Sequence, residues 1–449
     1  MKKCFIGACL VMMALSSSLA QKSKYVVMIS IDGLRPEFYK DHSWPAPNIQ
    51  ALAQNGVYAD GVRGVFPTVT YPSHTTILTG ALPAKHGIYY NMPFEPEGQT
   101  GKWYWEESEI KVTTLWDACK QKGMKTGNVH WPASVGAPID FNIPEVWPTK
   151  KDGNDRLGPM RKHSSPATLF EEIEKNATGK LDGTRLDSDY LLMDENLGRM
   201  ASYIIETYKP QFTTVHLVCL DHFAHNDGRD SENVRKALAG VDNAIGRIIE
   251  SVHRVGIKDS TSFLIVGDHG FVDIHTTLAP NVWLEKAGLI EAAENRGKWK
   301  AAFHSSGGSA FLHLKVKDDV KTLQQVQAIL QKLSDNDKKL FRIVTSEEMK
   351  KIGADPTVML AITPIEGVTI SAAADGPAVR AGKGGTHGFY PDFKNIQTGF
   401  IGSGAGFQKG KVIPMMGLED IAPLISALLD LSFVSPDGIL FPGLLKESK

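Results

Sequence analysis

YVVMISIDG (25–33) is the stretch on which the reading of the fold turns. From Tyr25 to Ile31 it is almost unbroken apolar sequence, and it stops abruptly at Asp32-Gly33. A strand buried on both faces reads this way, because helices cover both sides of a parallel sheet. Working outward, Phe212 to Leu220 repeats the pattern and ends at Asp221. Ser262 to Val266 repeats it again and ends at Gly267-Asp268-His269-Gly270. Between these runs lie helical patterns: Asn48 to Gln54, one beginning near Pro72, Thr114 to Gln121, Tyr190 to Tyr208 and Ser231 to Val255. A short strand is expected at Thr126 to His130. This alternation predicts an α/β fold with a central, largely parallel sheet flanked by helices. Residues from about 140 to 188 are rich in Pro, Gly and charge and read as loops. Residues 300–385 carry their own helix (Leu323 to Leu333) and strands (Ala310 to Leu314, Val368 to Ala372). They are expected to form a small inserted α+β subdomain. The catalytic domain would then comprise residues 21–299 and 386–449, the latter with a short run at Gly399 to Ile401 and a helix at Ile421 to Leu431.

The chain has 449 residues, with 49 Lys+Arg against 50 Asp+Glu, a balance that gives no reason to expect binding to duplex nucleic acid. Its N-terminus reads as a secretory signal. Lys2 and Lys3 precede an apolar run, Phe5 to Leu15, too short to span a bilayer, and Ser18-Leu19-Ala20 offers a cleavage site before Gln21. Export to a periplasm or the exterior is expected, with no transmembrane anchor. Cys119 and Cys219 could pair in an oxidising compartment, but two buried free thiols are the expected reading. Nothing in the sequence fixes an oligomeric state.

Ligands gather at the carboxyl ends of parallel strands, so Asp32, Asp221 and Asp268 are expected to converge there. His225 follows Asp221 by four residues, which on a helical turn places both on one side. Asp268 and His269 are adjacent on a turn, and His387 lies in the glycine-rich loop Gly384-Gly-Thr-His-Gly388. Imidazole with carboxylate suits Zn²⁺, whereas an oxygen-richer set suits Mn²⁺ or Mg²⁺. The segment FPTVTYPSHTTILTG (66–80) adds a hydroxyl. Pro72 fits a first helical turn, so Thr70 falls near a helix start, where free N–H groups favour phosphate oxygens. The residues alone leave Thr70 equally readable as an N-cap or as a nucleophile, with Thr68, Ser73, Thr75 and Thr76 as competitors.

These pieces resemble the nucleotide pyrophosphatase/phosphodiesterase family of the alkaline phosphatase superfamily. The match runs through ISIDGLR (29–35), FPTVTYPSH (66–74), TG (79–80), HGIYYN (86–91), the Asp221–His225 pair, GDHG (267–270) and THG (386–388). The resemblance implies an alkaline-phosphatase-like fold and two divalent metals, with zinc expected from the ligand types. Asp32, Thr70, Asp268 and His269 would hold one, and Asp221, His225 and His387 the other. It implies Thr70 as nucleophile, Asn91 as a donor to a phosphate oxygen, and Tyr71 as a substrate contact. The implied chemistry is a double in-line displacement on a small phosphate ester, through a phospho-threonine. Nucleotide-cleaving relatives often carry an aromatic residue shortly before the Asp-x-x-x-His aspartate, and commonly Pro-Asp. Here His216 and Leu220-Asp221 stand there, so no strong purine preference is expected. The alternative is a phosphate monoesterase on the same metals; a non-catalytic binding protein is a more distant one. A sulfatase is excluded, because Thr70-Tyr-Pro-Ser-His74 lacks the Cys-x-Pro-x-Arg-type motif.

Overall fold

The computed structural model describes residues 23–149, 155–183, 186, 190–293 and 297–446. The signal-peptide expectation for residues 1–20 lies outside them. The main sheet contains β1 (Tyr25–Ile31), β2 (Val57–Ala59), β3 (Thr126–Val129), β4 (Phe141–Ile143), β5 (Phe212–Leu217), β6 (Thr261–Gly267), β7 (Phe400–Gly404) and β8 (Lys411–Ile413). Their order is β8-β2-β7-β6-β1-β5-β3-β4. The strands from β6 to β4 run parallel, and β7 runs antiparallel to β6 and β2.

Burial on both faces is visible residue by residue in β1. Val27, Ile29 and Ile31 pack with Leu197 and Ile204 of α2 (Tyr190–Tyr208) and with Leu238 and Ile245 of α4 (Glu232–Arg254). Val26 and Met28 face the other way, onto Ile421, Leu424 and Ile425 of α5 (Ile421–Leu429). Each fully buried side chain of this size contributes about 1.5–3 kcal/mol, so the register is strongly held. That register pairs Ile31 with Leu217 on one side and Gly267 on the other. The following residues, Asp32 and Asp268, therefore leave the sheet side by side at its carboxyl edge.

One expected boundary moves. The strand before Asp221 ends at Leu217, and α3 (Cys219–Asp227) begins two residues later. Asp221 thus sits in the first turn of a helix, not at a strand end. α1 (Thr70–Thr79) is buried along its whole length.

Within residues 300–385, Ala301–Ser305, Ala310–Leu314, Leu360–Pro364 and Phe341–Thr345 form a four-stranded antiparallel sheet in that order, accompanied by the helix Val320–Gln331. Val368–Ile370 pairs outside that sheet, with Thr276–Leu278, and Gly385–Thr386 pairs with Val272–Asp273. The chain has rejoined the region after β6 before residue 385. Cys119 and Cys219 are buried free thiols. Among the described residues no helix is long and apolar enough to cross a membrane.

Candidate active site

The edge where β1 and β6 end carries the first cluster of donors. His269 Nε2 lies 3.2 Å from Asp32 Oδ1 and 3.2 Å from Asp268 Oδ2. Asp268 Oδ1 is already engaged, accepting the N–H groups of Gly33 and His269 at 3.0 Å each. The second cluster centres on Asp221 Oδ1, with His225 Nε2 and His387 Nε2 each 3.4 Å away. The clusters adjoin, since the rings of His269 and His387 stack at 3.5 Å.

In all three histidines Nδ1 is used up by a backbone carbonyl: Gly385 O for His225 at 3.0 Å, Gly270 O for His269 at 3.1 Å, Thr68 O for His387 at 3.0 Å. Each carbonyl can only accept, so Nδ1 carries a proton and Nε2 is the ring atom turned toward the carboxylates. This fixing of tautomer by a backbone partner is how metal-binding histidines are held. Gly384 (φ +83°) and Gly388 (φ +93°) bend the loop around His387, and a Cβ on either would lie within 2.1 Å of a carbonyl oxygen.

Asp32 Oδ1, Asp221 Oδ1, Asp268 Oδ2 and His269 Nε2 are buried without a hydrogen-bond partner among the described residues. Converging carboxylate oxygens and an imidazole nitrogen left without other partners fit divalent cations. The charge balance agrees. Burial and the nearby Asp32 charge push the Asp268 carboxyl up to about 7 and raise Asp221 well above the usual carboxylate range. Burial opposes ionisation of Asp32 as well, yet His216 and His269 hold its carboxyl well below that range. Burial keeps His387 and His225 neutral to lower pH than usual. Against the cost of burial, the Asp268 and Asp32 charges push the His269 imidazole up to about 9, so the metal-free cluster is held by protons whose place a bound cation would take.

A cavity of about 440 Å³ opens beside the clusters, with Asp268 and His269 set behind its wall. Asp32, Thr70, Asn91, Asp221, His225 and His387 line it at the chemical end. Thr70 is the first residue of α1, and the N-cap is Val69 in extended conformation, so Thr70 is not the cap. Its hydroxyl makes no hydrogen bond among the described residues. Thr68 is differently occupied: Oγ1 donates to Phe389 O at 3.1 Å and accepts from Gly388 N at 3.0 Å, pinning the His387 loop. Asn91 Oδ1 accepts the N–H of Tyr71 at 2.9 Å, which leaves Nδ2 as the donor available to the cavity.

Two expectations are corrected. Tyr71 does not line the cavity; it is fully buried, and its hydroxyl donates to Glu145 Oε1 at 2.8 Å. Nor is its N–H free for a phosphate oxygen, because Asn91 takes it. Aromatic walls come instead from Trp103, Trp147 and Tyr190, with Trp103 and Trp147 edge to face at 4.9 Å. His216 does not stand in for an aromatic slot either. Its Nε2 lies 3.4 Å from Asp32 Oδ2 and its Nδ1 2.8 Å from Glu145 Oε2, so it braces a cluster carboxylate from behind. Glu145 also faces His130 Nδ1 at 3.3 Å. Arg63, near the nucleophile segment in sequence, pairs with Glu419; the basic residue that lines the cavity is Arg156. Glu145, Trp147 and Arg156 all fall in the stretch that read as loops.

The family described as Type I phosphodiesterase / nucleotide pyrophosphatase matches residues 26–389. That span is most of the chain, and the chain belongs to this family. Among curated proteins it is 26% identical to human ectonucleotide pyrophosphatase/phosphodiesterase family member 1 over 257 residues, 54% of this chain and 23% of that protein. It is 22% identical to venom phosphodiesterase CdcPDE of Crotalus durissus collilineatus over 431 residues, 92% of this chain and 45% of that protein. The match thus spans less than half the length of either relative. Among solved structures, murine ectonucleotide pyrophosphatase/phosphodiesterase 5, an inactive variant in complex with AMP, superimposes with a TM-score of 0.66 at 19% identity, covering 95% of this chain and all of that one. This likeness carries the fold, an alkaline-phosphatase-like α/β sheet flanked by helices.

Proposed function

We propose that this chain is an exported hydrolase of phosphodiesters that works through a phospho-Thr70 intermediate. The observation that carries the reading is the cavity end: an unengaged threonine hydroxyl at a helix start opens onto the same space as Asp32 of one donor cluster and Asp221, His225 and His387 of the other. The residue names fit two cations, Asp32, Thr70, Asp268 and His269 for one and Asp221, His225 and His387 for the other; the nitrogen and oxygen donor set favours zinc. When bound, they would supply Lewis-acid charge that lowers the pKa of a hydroxyl and offsets charge on the transferring phosphoryl group.

The chain's own residues then divide the work. The Thr70 hydroxyl gives its proton to solvent and Oγ forms a bond to phosphorus as the bond to the leaving alcohol breaks, that alcohol taking up a proton from solvent. Asn91 Nδ2 donates to a non-bridging oxygen, its amide already oriented by the Tyr71 N–H. Water next attacks phosphorus, the bond to Thr70 breaks, and a phosphomonoester leaves. The positive end of the α1 dipole favours the anionic group throughout. Export rests on the signal-like residues 1–20.

A diester is preferred because the donor at Asn91 is a neutral amide, and a monoester dianion gains more from a cation at that place. A phosphate monoesterase is the second reading, and Arg156 in the cavity wall is the observation that favours it. The two separate in kcat/KM for bis-aryl phosphate, aryl nucleoside phosphate and aryl phosphate sharing one leaving group. Both diesters are expected to exceed the monoester. A monoester that wins overturns the diester reading. A nucleoside diester several hundredfold above the simple diester would restore a strong nucleotide preference.

A further inference from the structure

Asp194 lies on α2, far in sequence from every donor described above, and is almost fully buried. Its two carboxylate oxygens are both spent on the start of α3. Oδ1 accepts the N–H of Val218 at 2.9 Å, and Oδ2 accepts that of Cys219 at 3.0 Å. No side chain caps α3 from within its own N-cap residue, which is Val218. The cap therefore comes from another helix.

α3 is short, Cys219–Asp227, and it carries both Asp221 and His225. A helix of this length has little stability of its own, and its first turn is fixed by whatever satisfies its orphan N–H groups. Asp221 is in that first turn. The direction of its carboxylate, and of His225 one turn later, thus depends on where the chain is made to turn after β5. Burial pushes the Asp194 carboxyl up to about 7, so the fold keeps this group in place against a desolvation cost. The same helix α2 presents Tyr190 and Met193 to the cavity wall, immediately before Asp194.

We propose that Asp194 is a positioning residue for the Asp221/His225/His387 cluster, setting its cation affinity through the pitch of α3 without touching cation or substrate. The Asp32/Asp268/His269 cluster is carried by the ends of β1 and β6, outside α3, although it adjoins Asp221. Loss of Asp194 weakens one cation site and spares the other. This rests on the two-cation reading given above.

The test uses the full chain, stripped with a chelator and titrated with Co²⁺ and then with Zn²⁺, with visible absorption and bound metal per chain as readouts. Wild type is expected to fill in two steps. In Asp194→Asn, which keeps one carbonyl acceptor, and in Asp194→Ala, the weaker step moves by about 10–100-fold, the range seen when partners behind metal ligands are removed. The other step stays at its wild-type midpoint. Both steps unmoved, or both moved equally, overturns the proposal. A reading that needs no variant comes from amide exchange in wild type. Because coupling is reciprocal, filling the second site slows exchange at Val218 and Cys219. Unchanged exchange there also overturns it. A wild type that never takes up a second cation sinks the two-cation reading itself, a result separate from the others.

Discussion

The two donor clusters are built from similar side chains on different supports. Asp32, Asp268 and His269 follow directly from the ends of adjacent parallel strands, and their side chains are at most 8% exposed. Asp221, His225 and His387 stand on a short helix and a glycine-flanked loop, and their side chains are 19%, 40% and 8% exposed. The first cluster is placed by sheet register, which the whole core enforces. The second is placed by a few local hydrogen bonds: Asp194 to α3, Gly385 O to His225, Thr68 O to His387. A rigid half and an adjustable half share one cavity, and the adjustable half adjoins the apolar wall.

Thr70 belongs at the junction of the halves, and its loss gives the largest effect. Thr70→Ala is expected to lower kcat on a bis-aryl phosphate by several powers of ten, the scale on which removing a covalent nucleophile acts. Phosphate on Thr70 should be trapped by rapid acid quench and mass spectrometry of wild type. Activity within tenfold of wild type would mean that the junction is structural only.

The stability of the metal-free protein sharpens the contrast. In Asp268 the folded carboxyl is raised to about 7, against about 3.9 unfolded. The native state then holds its proton when the unfolded chain has lost it, so this group's contribution to stability falls as pH rises from about 4 to 7. Asp268→Asn removes that penalty and keeps an acceptor for the Gly33 N–H. Above pH 7 it is expected to raise metal-free stability by an amount on the order of a few kcal/mol, and to change it little at pH 4. His225→Gln, at the exposed end of the other cluster, should shift stability by less than about 1 kcal/mol. Urea titrations at both pH values check this; equal shifts for the two variants would erase the distinction between the halves.

Thr68→Val gives the smallest effect. It deletes the two hydrogen bonds of Oγ1 to the loop beyond His387 and leaves the Thr68 carbonyl on His387 in place. The expected outcome is a loss of about 1–3 kcal/mol in stability and less than tenfold in kcat, read by urea titration and steady-state kinetics. A collapse of kcat comparable to that of Thr70→Ala would exchange the roles of the two threonines.

What the sequence made legible follows the same division. Asp32 and Asp268 could be placed at one edge because an apolar run long enough to be a buried strand has only one carboxyl end. Asp221 was placed one element too early, since Val218 to Leu220 is apolar enough to read as more strand and the Asp194 cap that ends it lies 24 residues upstream of Val218. The direction of Tyr71 was not legible, because α1 is buried on all sides and carries Thr, Ser or His on every face, leaving no apolar stripe from which to orient it. Glu145, Trp147 and Arg156 were missed for a different reason. Their stretch carries no period of two or of 3.6, so tertiary packing alone gives those side chains a direction.

The donors also have an order in time. A chain emerging from its N-terminus shows Asp32 early, but Asp268 and His269 come more than two hundred residues later and His387 later still. β1 has no neighbour on either side until residues 212–217 and 261–267 have been made. A lone carboxylate on an unpaired strand holds a cation weakly, and structural affinity arises only with the fold. On the two-cation reading, capture of metal would be a late event in maturation, and a chain cut short before residue 387 would carry the rigid half and no finished site.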